Sequence, residues 1–180
     1  TYHYYDGSSQ SVLMGDGRKL RGDQLGLSIK SMNPSALPYS IRALDVDSDG
    51  VIYFLPKGNP LVERQVMKLV PGKEPVVYVS MSNRIGDMSV GPDDNLYLTL
   101  GSYLWKVPRK TGNAVLMANL YLQFFNCFAY FGDYCLLNVD VDAFGYAFLV
   151  SRYPAAFGTS SMAIVAPDGT VLANPVDLQC

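Results

Sequence analysis

The stretch that most constrains this chain is Ala43-Leu44-Asp45-Val46-Asp47-Ser48-Asp49-Gly50-Val51-Ile52-Tyr53-Phe54. It reads as strand, acidic glycine turn, strand. Branched and aromatic residues suit a pleated surface, and Asp, Ser and Gly suit a tight reversal. The pattern returns twice, in residues 85–100 around Gly91-Pro92-Asp93-Asp94-Asn95 and in residues 136–150 around Asp142-Ala143-Phe144-Gly145. Aligned, Val46, Val90 and Val141 share one column, with steps of 44 and 51 residues. Gly50, Asp94 and Gly145 share a second column, and Tyr53, Tyr97 and Phe148 a third. A second hairpin follows each first one. Its turns at Gly72, Gly112 and Gly169 precede Val76-Val77, Val115-Leu116 and Val171-Leu172.

A period of about 40–50 residues with four strands per unit is the signature of a β-propeller blade. One four-stranded sheet cannot bury both faces alone, so blades stack around an axis. The fold class is therefore all-β, with a β-sandwich as the alternative architecture. The expected division is a half blade at 1–14, an irregular connection at 15–40, and blades at 41–84, 85–135 and 136–180. Residues 2–5 are expected to pair with residues 11–14, and one strand is expected near residues 25–29. The apolar run 76–79 suits a strand covered on both faces. The count is about three and a half to four blades, and closed propellers take typically 4–8. The chain reads as a partial propeller, or as one completed by a partner or by a longer parent.

Composition narrows the function classes. The chain is 49% hydrophobic and 17% charged, with a formal net charge of −2. That balance gives no electrostatic case for nucleic acid or an anionic membrane surface. No apolar run approaches the roughly 20 residues of a membrane span. Residue 1 is Thr, without a signal peptide, as in a processed product, a fragment or an excised domain.

The segment Leu44-Asp45-Val46-Asp47-Ser48-Asp49-Gly50-Val51-Ile52-Tyr53 resembles the core of NHL-type and related six-bladed propeller repeats, the group of SMP-30/gluconolactonase and strictosidine-synthase-like proteins. Val90-Gly91-Pro92-Asp93-Asp94-Asn95-Leu96-Tyr97 is similar, and Gln65-Val66-Met67-Lys68-Leu69 resembles the strand that follows it in NHL repeats. The third unit departs at Ala143-Phe144, where the family has polar residues. The resemblance covers residues 41–175 and implies a propeller. For lactonase relatives it also implies a metal in the axial channel, held by Asp, Asn and Glu; no matching Glu motif is present here.

Several residues carry chemistry. Asp45, Asp47 and Asp49, followed by Gly50, match the opening of a calcium loop, which takes carboxylates at positions 1, 3 and 5 and Gly at 6. Position 12 is Pro56 rather than Glu, so the competing reading is a hairpin turn, and calcium is the one cofactor the sequence suggests. Asp45, Ser89 and Asp140 share the column expected to face the axial channel, with Asn138 and Asp142 at the same alternation. His3 is the single histidine, so no Ser–His–Asp or Cys–His set can be assembled. Cys127 and Cys135 flank Phe131-Gly132-Asp133 and read either as a cross-strand disulfide or as two buried thiols, leaving Cys180 for a partner. Tyr121, Phe124, Phe125, Phe128 and Tyr130 form an aromatic cluster that is either a blade junction or an assembly rim. Arg21-Gly22-Asp23 matches an integrin-binding tripeptide, a pattern short enough to arise by chance.

The leading expectation is a non-enzymatic extracellular scaffold that binds a protein partner or other copies of itself. One alternative is a metal-dependent hydrolase, a lactonase or strictosidine-synthase-like enzyme, using Asp45 and Asp140. The other is a carbohydrate-binding propeller stacking sugars on aromatic faces, with Trp105 as the single tryptophan.

Overall fold

The computed structural model describes residues 11–13, 19–21, 40–122, 137–151, 159–160, 162–172 and 178–179. Among these the chain is all-β apart from one 3₁₀ turn, Val62–Arg64, and it builds three four-stranded antiparallel sheets. The first blade runs β3 (Ser40–Val46), β4 (Ile52–Lys57), β5 (Gln65–Leu69) and β6 (Val76–Ser80). The second runs β7 (Met88–Val90), β8 (Leu96–Leu100), β9 (Tyr103–Val107) and β10 (Val115–Asn119). The third runs β11 (Leu137–Val141), β12 (Ala147–Ser151), β14 (Met162–Val165) and β15 (Val171–Leu172). Two short pairs stand apart: β1 (Ser11–Leu13) with β2 (Lys19–Arg21), and β13 (Thr159–Ser160) with β16 (Leu178–Gln179).

Strand pairing puts one row of side chains across each blade, from axis to rim. The rows are Asp45–Tyr53–Lys68–Val76, Ser89–Tyr97–Lys106–Val115 and Asp140–Phe148–Ile164–Leu172. Between the first and second blades lies a core of Val51, Tyr53, Leu55, Val66 and Val79 against Ile85, Met88, Leu96, Leu98 and Val107. Between the second and third, Tyr97, Leu104, Ala118 and Leu120 meet Leu137, Val139, Ala147, Leu149, Ala163 and Val165. Burying each large aliphatic is worth about 1.5–3 kcal/mol, so these two seams are the main hold on the stack. A third cluster, Ile52, Phe54, Met67 and Leu69, is buried on the opposite face of the first blade.

The turns repeat one device. Asp47 Oδ1 accepts the backbone N–H groups of Asp49 and Val51, and Asp142 Oδ1 accepts those of Phe144 and Tyr146. Each turn needs one left-handed residue, which is Gly50 (φ 78°) in the first blade and Asp94 (φ 57°) in the second. Asp tolerates that region better than most side chains do.

Two expectations change. Ser11–Leu13 pairs with Lys19–Arg21, and the latter strand lies inside the segment read as an irregular connection. Residues 2–5 and 25–29 lie outside the described residues. The run 76–79 is not covered on both faces. It is the outermost strand, paired only with β5, and Val76 and Val77 are 55% and 50% exposed. The runs with every residue buried belong to second strands: Leu96–Leu100, which has a blade on either side, and Ile52–Pro56 in β4.

Candidate functional site at the propeller axis

The first strands of the three blades, β3, β7 and β11, lie side by side. They line an open groove of about 620 Å³ whose polar residues are Arg42, Asp45, Asp87, Ser89, Asn138 and Asp140. Strand alternation explains the set. Once Ser89 and Asp140 face the groove, so do Asp87 and Asn138 two residues earlier.

Asp45, Ser89 and Asp140 come together. Ser89 Oγ lies 3.5 Å from Asp45 Oδ2 and 3.3 Å from Asp140 Oδ1. One hydroxyl has one proton, so it serves two acceptors by sharing. Asp45 also accepts the N–H groups of Val46 and Val90, both at 2.8 Å, the second from the neighbouring blade. Asp140 accepts the N–H of Val141 at 3.0 Å and is exposed to the groove. Asp87 Oδ2 accepts the N–H of Val139 at 3.3 Å, while the Asp87 N–H donates to Thr99 Oγ1 at 2.8 Å. Arg42 donates to the carbonyls of Gly86 (3.3 Å) and Ile85, which fixes its side chain across the seam between blades. Three carboxylates against one guanidinium make the groove acidic, so it favours a cation or a polar ligand with a positive end.

The acidic turn is a different place with a different cation. Asp47 and Asp49 do not share a site with Asp45, because β3 ends at Val46 and the turn that follows takes these two out of the strand alternation that would otherwise keep them on one face. Arg109 of the second blade reaches three turn carboxylates: Nε is 3.4 Å from Asp47, Nη1 is 3.1 Å from Asp94, and Nη2 pairs with Asp49. Asp94 in turn accepts Ser48 N–H at 2.8 Å and Ser48 Oγ–H at 2.6 Å. The hydrogen bond to Asp49 raises the pKa of Arg109 further, so it is charged at every working pH. Asp47 also accepts the hydroxyl of Tyr53 at 3.2 Å; burial first, and then the Asp47 charge, push that phenol well above its ordinary value. Arg109 is the cation that these three carboxylates meet. Among the described residues no three or more of His, Cys, Asp and Glu group as a metal would require.

The other sequence candidates separate. Trp105 is half-buried and packs against the seam between the first two blades. Tyr121 is 41% exposed. Arg21 ends β2. His3, Gly22, Asp23, Phe124, Phe125, Phe128, Tyr130, Cys127, Cys135 and Cys180 lie outside the described residues. Arg42 and Arg109 were missed by the sequence reading. Arg42 stands in a strand read as apolar, and Arg109 reaches its partner Asp49 from 60 residues away, so neither has a local signal. No helix among the described residues is long and apolar enough to cross a membrane.

No family model matches this chain, and no curated protein matches it. Solved structures do. The calcium-binding protein regucalcin of Agrobacterium tumefaciens is 16% identical, with a TM-score of 0.54 over 77% of this chain and 44% of that one. A luciferin-regenerating enzyme is 15% identical, with a TM-score of 0.56 over 79% of this chain and 48% of its own. A Bacteroides caccae protein of unknown function is 11% identical, with a TM-score of 0.50 over 79% and 47%. This chain spans about half the length of each. At such identities the likeness is one of fold. With three four-stranded sheets stacked about their innermost strands, it identifies the chain as a partial β-propeller.

Proposed function

We propose that the chain acts through its axial groove, as part of a propeller hydrolase of the lactonase kind, with Asp45 and Asp140 as the working carboxylates. The observation that carries this reading is the convergence of Asp45, Ser89 and Asp140 from three successive inner strands. This departs from the scaffold expectation, which has no observation of comparable geometry behind it.

The donor set fits a hard divalent cation. It consists of oxygens alone, from two carboxylates, the Ser89 hydroxyl and the Asn138 amide, and magnesium-type sites are content with one or two carboxylates. Asp45 and Asp140 would hold the ion, and it would supply a Lewis acid to polarise a substrate carbonyl. The chain's own residues do the rest. The N–H groups of Val46 and Val90 aim the Asp45 carboxylate, which makes it the fixed member of the pair. Asp140, more open to the groove, is placed to accept a proton from an attacking water. Ser89 ties the two carboxylates together, and Arg42 sets a permanent positive charge at one end of the groove.

Calcium, magnesium and manganese titrations followed by calorimetry test this reading, together with turnover of a lactone panel. Asp45→Asn and Asp140→Asn are each expected to weaken cation binding at least tenfold while leaving the melting temperature within a few degrees. A native chain that binds none of these cations, or variants that bind as well as the native chain, would overturn it. The scaffold reading, with extracellular residence and a Cys127–Cys135 bridge, stands second. Exposed apolar residues on the blades favour it.

A further inference from the structure

One buried hydroxyl ties the inner strands of the groove together. Thr99, on β8, is fully buried, and in the aligned blades its position is held by Leu55 and Val150. This polar residue stands where the pairing of β7 with β8 slips. The two strands are in register from Met88↔Leu98 to Val90↔Leu96. One step before Met88, the Thr99 N–H donates to the Asp87 carbonyl at 3.1 Å, but the Thr99 carbonyl takes the N–H of Gly86, at 2.6 Å. The Thr99 hydroxyl, not its carbonyl, accepts the Asp87 N–H, at 2.8 Å. The proton of that hydroxyl goes the other way, to the Leu137 carbonyl of the third blade at 2.8 Å. Both of these uses fix its rotamer, and an apolar side chain could serve neither.

The bonds form a belt across three blades. Arg42, Gly86 and Leu137 share one column of the repeat. Arg42 donates to the Gly86 carbonyl, the Gly86 N–H donates to the Thr99 carbonyl, and the Thr99 hydroxyl donates to the Leu137 carbonyl. The crossing is tight: a Cβ on Gly86 would stand 2.6 Å from Thr99 Oγ1 and 3.2 Å from the Leu137 carbonyl oxygen. Beside the belt, Asp87 Oδ2 accepts the Val139 N–H. Two residues further along the same two strands come Ser89 and Asp140. We infer that Thr99 is a positioning residue for the axial groove. Its hydroxyl holds β7 against β11, and so sets where Asp87, Asn138 and Asp140 stand opposite Asp45 and Ser89. Resting on the reading of the groove as a cation site, this makes Thr99 a determinant of cation affinity that does not itself line the groove.

Amide hydrogen exchange by NMR on the cation-free protein, followed by calorimetry with calcium, magnesium and manganese, tests this. Thr99→Val keeps the shape and removes the hydroxyl. The decisive amide is Val139, whose acceptor is Asp87 rather than Thr99. Its exchange should quicken about tenfold or more. The Met81 N–H, bonded to the Arg64 carbonyl in the first blade, should stay within about twofold. The cation dissociation constant should rise about tenfold, the scale of a lost supporting hydrogen bond around a metal site. Thr99→Ser should restore most of both. Gly86→Ala presses a methyl against the same hydroxyl and should repeat the valine pattern; it decides the matter if Thr99→Val fails to fold. Met67→Ala, buried on the far face of the first blade, is the control: it should lower the melting temperature and move neither readout. Val139 exchange at the native rate, an equal gain at Met81, or a serine variant no better than valine would each overturn the inference. So would quickened Val139 exchange with native cation affinity, since Thr99 would then support the fold alone. A native chain that binds none of the three cations would bring down the hydrolase reading, and the exchange measurement would still decide whether Thr99 positions Asp87 and β11.

Discussion

The two seams between blades are alike at the axis and opposite at the rim. Near the axis both are tied by a first-strand carboxylate accepting a backbone N–H across the seam: Asp45 from Val90, and Asp87 from Val139. Toward the rim the first seam is electrostatic. Arg109 gathers Asp47, Asp49 and Asp94, and Tyr78 donates its hydroxyl to the Arg109 carbonyl at 3.1 Å. The second seam has no such cluster among the described residues. There Gly169 of the third blade lies so close to the second that a Cβ on it would stand 2.6 Å from the Met117 carbonyl. One rim is held by charge and the other by close backbone approach. The inner strands are held alike in both because they must present one continuous groove.

The seams break in different ways. Gly169→Val should have the largest effect. The residue has φ +90°, which a branched side chain resists, and the new side chain collides with backbone that cannot swing aside. The expected loss is on the order of 3 kcal/mol, read in a urea melt. Gly50→Val separates the two causes: Gly50 also has positive φ (+78°) but open space around it, so it should lose only about 1 kcal/mol. Equal losses would mean that the Met117 contact contributes nothing.

Arg109→Met comes next. It strips the counterion from Asp47, which is 2% exposed, and frees two partly exposed carboxylates to repel one another. We expect a loss of about 2 kcal/mol, lower than for a fully buried pair because Arg109 is open to solvent. Arg109→Lys should recover less than half, since a single ammonium cannot reach three carboxylates as a planar guanidinium does. A lysine variant as stable as the native chain would sink the idea that the fork geometry matters.

The two rims also mark the limit of what the sequence reveals. The blades were legible because each repeats a turn chemistry locally: Asp47 and Asp142 cap their own turns, and the tyrosine column recurs. The axial set was half legible. The column of Asp45, Ser89 and Asp140 follows from aligning the repeats, and Asp87 follows from strand alternation, but Arg42 owes its place to the Ile85 and Gly86 carbonyls of the next blade. The rim contacts were illegible. Asp49 looks like a calcium ligand until Arg109 arrives from the next blade, and Gly169 looks like any turn glycine until Met117 is beside it. Val76 and Val77 misled because an apolar run records β character without recording whether a neighbour covers it.

The smallest effect distinguishes the two aspartates of one turn. Burial alone would raise the Asp94 carboxyl, but hydrogen bonds from Ser48 and the Arg109 charge outweigh it and hold the pKa below the usual 3.8. For Asp93, burial is likewise outweighed by hydrogen bonds from Lys106 and Asn95. A carboxylate whose folded pKa is depressed adds stability that is fully present above its unfolded pKa and is lost as pH falls through the folded one. Melting temperature should therefore fall below about pH 4. Asp94→Asn should flatten that fall and cost roughly 2 °C at pH 7, the scale of a solvent-exposed pair in a domain of this size. Asp93→Asn should flatten it similarly, yet the two must differ in an Arg109→Met background. There Asp94→Asn should cost less than it does alone, since most of its favourable charge partner is gone, while Asp93→Asn should add in full because its partners are Lys106 and Asn95 of its own blade. Full additivity for both would show that the first seam is not held by charge, and the contrast between the two rims would go with it.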